Sequence, residues 1–228
     1  MSTVPAALPL PHTTDDAAGG PAAGYRPFPD VARRNLFQEW LEIPLMVRAL
    51  GLPTGGRILE VGCGRGIALP TLARMLRPSR LVGIDNDTAV LTLARQRLAA
   101  SGTTAEVHWA DVRALPFVDA SFDLVLDFGT CYHISGSTRA LAEIARVLTP
   151  GGLFVEETPL SQVLSHPVRS FGRRVPWGSE PGLVRGASRL LWCTHVRRGH
   201  PAMSPAGARD CMFVPSPDKE REGAVSDL

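Results

Sequence analysis

Four acidic side chains and a glycine triplet are spaced so that together they could grip a charged, hydroxylated ligand. Glu60 closes an apolar run, and Gly62, Gly64 and Gly66 follow at every second position. Glycine permits a tight turn with positive φ and lets a ligand lie against bare backbone. A helix beginning directly after such a turn adds the N–H groups of its first turn to the cradle. The dinucleotide fingerprint G-x-G-x-x-G would need glycine at position 67, where Ile67 stands. A carboxylate beside the turn, from Glu60, suits a ligand carrying an amine or a sulfonium better than a pyrophosphate. Asp85 follows about 20 residues further on, a spacing that puts a carboxylate over ribose hydroxyls within one βαβ unit. Asp111 and Asp127 each close a further apolar run. His133 lies just past Asp127; histidine titrates near neutrality and has the chemistry of a general base. A structural histidine bonded within its loop, and a plain βα turn of another α/β domain, are the simpler readings of the same residues.

These side chains need elements to hold them. Ile58, Leu59 and Val61 read as a buried parallel strand, and Leu69, Leu72, Ala73 and Leu76 recur at helical spacing with Pro70 in the first turn. Residues 81–84 form a second strand before Asp85. Asn86 and Asp87 then start a helix carrying Val90, Leu91, Leu93, Ala94 and Leu98. A third strand over 106–110 leads to Asp111 and Val112, with His108 as an ordinary strand side chain. A fourth over 122–126 leads to Asp127. Leu141, Ile144, Ala145 and Leu148 mark a helix stopped by Pro150 and the Gly151, Gly152 pair, before a fifth strand over 153–155. This alternation predicts an α/β domain with a parallel sheet. Ahead of it, Asp30 is a plausible N-cap for a helix running to about Leu50, with Gly51 as C-cap. Its apolar positions Leu36, Phe37, Trp40, Leu41, Leu45 and Val47 give a broad apolar face, which reads as plain core packing or as a cover over the sheet edge or the ligand. Residues 189–196 read as one more strand, paired either with 183–185 or with 211–214.

The E-x-G-x-G-x-G stretch, the acidic strand ends and the run from Arg146 through Leu148, Pro150, Gly151 and Gly152 resemble the class I S-adenosylmethionine-dependent methyltransferases of the small-molecule type. The resemblance covers roughly residues 30–160. It implies a doubly wound, Rossmann-like, mostly parallel sheet of about seven strands, with helices on both faces and an antiparallel last strand. It also implies S-adenosyl-L-methionine as cofactor. The turn at Gly62, Cys63, Gly64 and Gly66 would meet the methionine part, with Glu60 on its amino group. Asp85, with Asn86 beside it, would take the ribose; Asp111 would take the adenine amine, with Val112 against the ring. Asp127, Phe128 and Gly129 would lie beside the sulfonium. His133 matches the second histidine of a pair often found there, which implies a base; Thr130 and Tyr132 are lesser candidates for substrate contact. The segment Asp127, Phe128, Gly129, Thr130 lacks the paired prolines of enzymes that methylate exocyclic base amines. The expected acceptor is therefore an oxygen, nitrogen or carbon of a small molecule, and nucleic acid is disfavoured. Two rivals remain: a nicotinamide-type oxidoreductase, which requires neither Glu60 nor Asp111, and a catalytically silent methyltransferase-like binding module.

The bulk properties are those of a soluble globular chain. The 228 residues are 44% hydrophobic with a formal charge of +2, enough for one α/β domain and giving no global case for nucleic acid. Cys63, Cys131, Cys193 and Cys211 show no C-x-x-C pairing and no zinc spacing, so reduced thiols and no metal are expected. No apolar run approaches the roughly 20 residues that span a bilayer. The N-terminal residues, broken by Pro5, Pro9 and Pro11, lack a basic stretch and do not read as a secretory signal, so a cytoplasmic location is the default. The expected organisation is a disordered segment over 1–24, a methyltransferase domain over 25–198 and a flexible tail over 199–228. Within the domain, 25–52 is the leading helix, 53–160 the cofactor-binding core and 161–198 the closing part. In that closing part seven arginines face one acid, Glu180, a local excess of about +6. It reads as a solvated basic face or as an attraction for an anionic partner.

Overall fold

The structure, a computed structural model, describes residues 31–131, 134–158, 161, 182–189 and 191–198. The expected disordered segment, the Asp30 cap, Tyr132, His133, the tail and most of the arginine-rich stretch lie outside these residues.

Five strands run parallel: β1 Arg57–Val61, β2 Arg80–Asp85, β3 Glu106–Trp109, β4 Phe122–Asp127 and β5 Leu148–Glu157. Two more, β6 Leu183–Ser188 and β7 Trp192–Arg197, close the sheet antiparallel, in the order β3-β2-β1-β4-β5-β7-β6. The parallel α/β sheet expected from the alternation, and the doubly wound form implied by the resemblance, are therefore present, and the open choice for the partner of β7 falls to 183–188. The chain steps outward from β1 to β2 and β3, then returns to place β4 on the other side of β1. That reversal leaves a crevice above the C-terminal ends of β1 and β4, where open α/β sheets bind ligands.

Both faces of the sheet are covered. On one, Ile58, Leu81, Leu124 and Leu126 pack with Leu69, Leu72 and Leu76 of α3 (Leu69–Leu76), with Leu98 of α4 (Thr88–Ser101) and with the leading helices. On the other, Leu59, Val82, Val125 and Phe154 pack with Leu141, Ile144 and Val147 of α5 (Ser137–Val147). Ile58, Leu59 and Val61 are wholly buried because a central strand between two helical layers has no solvent face. Asp87 caps α4 as its position suggested: its carboxylate accepts from Ala89 N at 2.7 Å and Val90 N at 3.4 Å. Arg146, in the run before β5, ties α5 to the loop between β3 and β4. It donates to the carbonyls of Leu115 and Phe117 and pairs with Glu143 and Asp119.

The leading helix corrects its sequence expectation. It is α1 Val31–Phe37, a π-helical turn Gln38–Glu42, and α2 Ile43–Leu50. The face anchored in the core carries Ile43, Met46 and Val47, with Gln38 and Glu42 buried beside them. Leu36, Phe37, Trp40, Leu41 and Leu45 are exposed, Trp40 to 66%. The segment has apolar residues on two sides, and the π turn, closing i→i+5, shifts the phase that a regular 3.6 period would continue. Glu39 fastens it to α4 through Arg97 at 3.0 Å.

At the N-terminal ends of the central strands β1 and β4, away from the crevice, Asp123 Oδ2 accepts from Arg57 N at 2.8 Å and Nε at 3.0 Å, and Oδ1 accepts from Nη2 at 2.9 Å. The guanidinium holds the Asp123 carboxyl below its usual range of 3.8. Both side chains are over a third exposed, so the ion pair itself is worth little and the lost backbone hydrogen bond dominates. Asp123→Ala should cost about 1–2 kcal/mol in urea denaturation at neutral pH. A depressed folded-state pKa contributes stability above the unfolded value and loses it as pH falls, so the deficit should shrink below pH 4.

Candidate functional site

The bend after β1 is built on what its glycines omit. Gly62 has φ +65°, and a Cβ there would sit 1.7 Å from Thr130 Oγ1. Thr130 packs across the bend and donates from that hydroxyl to Val61 O at 3.2 Å. Gly64, at φ +50°, has nothing within 4 Å of its missing Cβ, so its face is open to a ligand. Cys63 lies between them with its side chain turned under the sheet: a Cβ on Gly83 would meet its Sγ at 2.9 Å. Burial, with Glu60 and Asp85 nearby, pushes its thiol well above the ordinary range. Such a thiol is inert packing, not a nucleophile. Gly66 is set against Ala94 of α4.

Glu60 is 4% exposed and sits beneath the bend. Burial, reinforced by Asp85 and Asp127, raises its pKa to about 8. Its Oε2 is buried and makes no hydrogen bond among the described residues. A buried polar atom without a partner is rare and costly, and it marks a place where a donor fits.

The other acids differ in how much of their capacity is spent. Asp85 Oδ2 accepts from Gly64 N at 2.8 Å and Oδ1 from Asp87 N at 3.0 Å, leaving one lone pair on each oxygen. This carboxylate therefore holds the bend while facing the cleft. Asp111 is gripped by Arg113, through N at 2.8 Å, Nε at 3.0 Å and Nη2 at 2.7 Å, and this pairing lowers its pKa. Asp127 is buried, with its pKa raised by desolvation, and turns back on its own loop. Its Oδ1 accepts from Gly129 N at 3.0 Å and Thr130 N at 2.5 Å, and its Oδ2 from Cys131 N at 2.9 Å.

A cleft opens above these groups. Of the residues singled out from sequence, Gly62, Asp85, Asn86, Asp111 and Val112 line it, together with Thr130. Glu60, Cys63, Gly64 and Gly66 form the wall and floor of the bend, and Asp127, Phe128 and Gly129 shape the loop that carries Thr130 rather than the lining. His133 lies outside the described residues. Sequence reading did not single out Ile84, Ala110, Arg113 or Ile134, which also line the cleft. Arg113 had one signal, its place two residues after an acidic strand end. Around the bend, Glu60 offers an unused buried oxygen, Asp85 keeps accepting capacity toward the cleft, and Gly64 presents bare backbone.

Residues 58–152 match the family described as methyltransferase domain. A Mycolicibacterium smegmatis protein described as "Probable S-adenosylmethionine-dependent methyltransferase" is 31% identical over 140 residues, 61% of this chain and 51% of that protein. A fatty-acid O-methyltransferase of the same organism is 39% identical over 101 residues, 44% of this chain and 36% of it. The chain thus spans about half or less of the length of these curated relatives. A SAM dependent methyltransferase from Aquifex aeolicus shares the fold with a TM-score of 0.55 at 18% identity, over 71% of this chain and 92% of that one. Residues 58–152 are thus similar to the methyltransferase domain family, and a relative that shares this similarity is described as S-adenosylmethionine-dependent.

Proposed function

We propose that the protein moves a methyl group from S-adenosyl-L-methionine to an oxygen, nitrogen or carbon nucleophile of a small molecule by in-line displacement. The observation that carries this reading is the idle Oε2 of Glu60 beneath an open glycine bend. It suits the amino group of the methionine part, with the backbone of Gly62 and Gly64 against the chain. Asp85 and Asn86 would take the ribose, Asp111 and Val112 the adenine. Because Arg113 already occupies much of Asp111, an adenine amine held there shares that carboxylate with the guanidinium. The Asp127 loop, with Phe128 and Gly129, would border the sulfonium, and His133 is the candidate base for an acceptor that must lose a proton. The bound sulfonium supplies the activated methyl group, so the chain's own task is orientation and exclusion of water. Among the relatives, one is named for fatty acids and others for phthiotriol and phenolphthiotriol dimycocerosates. This supports a small-molecule acceptor. Among the described residues no helix is long and apolar enough to cross a membrane.

Titration calorimetry with S-adenosylhomocysteine and with NAD tests the reading. The homocysteine nucleoside should bind and NAD should not; binding of NAD alone would end the methyl-transfer assignment. Asp85→Ala should weaken that binding by roughly 1–3 kcal/mol, about 5- to 150-fold. An unchanged affinity in a folded variant would remove Asp85 from the ribose.

A further inference from the structure

A second cluster of chemically active side chains lies outside the cleft, at the seam between β5 and β7. The antiparallel register sets Glu156 opposite Cys193 and Phe154 opposite His195. Cys193 and His195, two apart on one strand, point to the same face. His195 Nε2 stands 2.6 Å from Glu156 Oε1, and Cys193 Sγ stands 3.7 Å from that nitrogen and 3.8 Å from that oxygen. All three are buried, with 4% exposure or less. The methyl-transfer site uses none of them.

We propose that Glu156, Cys193 and His195 form a binding site for a divalent transition-metal ion of the zinc type, which clasps the closing strands to the parallel sheet. A thiolate, an imidazole and a carboxylate make a borderline-soft donor set that suits zinc and is wrong for calcium or magnesium, which take oxygen ligands. A tetrahedral ion at ordinary zinc distances needs its donors roughly 3.3–3.6 Å apart. The two edges to Cys193 Sγ are already close to that, at 3.7 and 3.8 Å. The third must open from 2.6 Å by about 0.7 Å: the proton that now joins Glu156 to His195 Nε2 moves to Nδ1, which has no partner among the described residues, and the ion takes its place. The Cys193 thiol proton leaves to solvent on binding, so affinity rises with pH. The three protein donors leave a fourth position. The site lies beside the methyl-transfer machinery without sharing a ligand with it: Glu156 is the register partner of Asp127, whose carboxylate shapes the Thr130 loop.

The full chain, stripped with a chelator and titrated with zinc and separately with cobalt, tests this. Wild type should take up one ion per chain, melt at a higher temperature with zinc than with chelator, and show a thiolate-to-cobalt charge-transfer band. Cys193→Ser should lose the band and bind at least 10-fold more weakly, and His195→Ala should lose stoichiometric uptake. Folded wild type that takes up no stoichiometric zinc would overturn the site without any variant being needed. Uptake and band unchanged in both variants would place the ion elsewhere and also overturn it. S-adenosylhomocysteine affinity, measured in parallel, reports separately on the methyl-transfer reading.

Discussion

Gly62→Ala should cost roughly 2–5 kcal/mol of stability and abolish cofactor-analogue binding in whatever fraction still folds. The added Cβ would lie 1.7 Å from Thr130 Oγ1 and 2.8 Å from Thr130 Cβ. A rotamer change can move the hydroxyl but not the Cβ, so the backbone of the loop must retreat. That loop is held by the Thr130 hydroxyl on Val61 O and by three N–H groups on the buried Asp127 carboxylate. Overpacking of this kind costs about 1–3 kcal/mol, and a left-handed φ on alanine adds about 1–2 kcal/mol. The double variant Gly62→Ala with Thr130→Gly separates the two contributions. It should recover the packing share in urea melts and retain the backbone share. Gly64→Ala is the control, since its Cβ points into open space despite φ +50°; it should lose only the smaller backbone share. If Gly62→Ala melted like wild type, Thr130 would not be packed over the bend.

The features that were legible in sequence are those written in local pattern. A parallel strand buried on both faces must be continuously apolar, so β1, β2 and β4 stood out, and the acids closing them fell where α/β sheets take ligands. The direction of each carboxylate was not legible. Asp85 faces the cleft while Asp127, in an equivalent position, folds into its own loop, a choice made by turns such as Gly129 at φ +106°. The partner of β7 was ambiguous because 183–185 and 211–214 are both short with adjacent apolar residues, and pairing is decided by long-range packing. The leading helix misled for a different reason: Leu36, Phe37, Trp40 and Leu41 make as good a stripe as Ile43, Met46 and Val47, and only the π turn and contact with α3 decide between them. Glu156, Cys193 and His195 could not be joined in advance, since their approach depends on the register of strands about forty residues apart.

Glu60→Gln should stabilise the fold and weaken the ligand, opposite effects from one proton. With its pKa raised from 4.5 to about 8, first by burial and then by Asp85 and Asp127, Glu60 keeps a proton in the folded chain that the unfolded chain loses. Wild-type stability should therefore fall as pH rises from about 4.5 through about 8, then level off. Glutamine never ionises, so the variant should gain on wild type across the same window, by on the order of 3–5 kcal/mol at the alkaline end. The cost carried by wild type makes sense if the ionised form is wanted when the ligand is present. An ammonium group beside Oε2 favours the carboxylate, so binding below pH 8 must expel the proton. S-adenosylhomocysteine affinity should then rise with pH up to about 8, and calorimetry in buffers of different ionisation enthalpy should detect the released proton. Glu60→Gln should release none and bind about 10- to 100-fold more weakly, the loss expected when a charged acceptor becomes neutral. Equal affinity and equal proton release in the two proteins would mean that the amine sits away from Glu60, leaving its buried charge a cost with no return in binding.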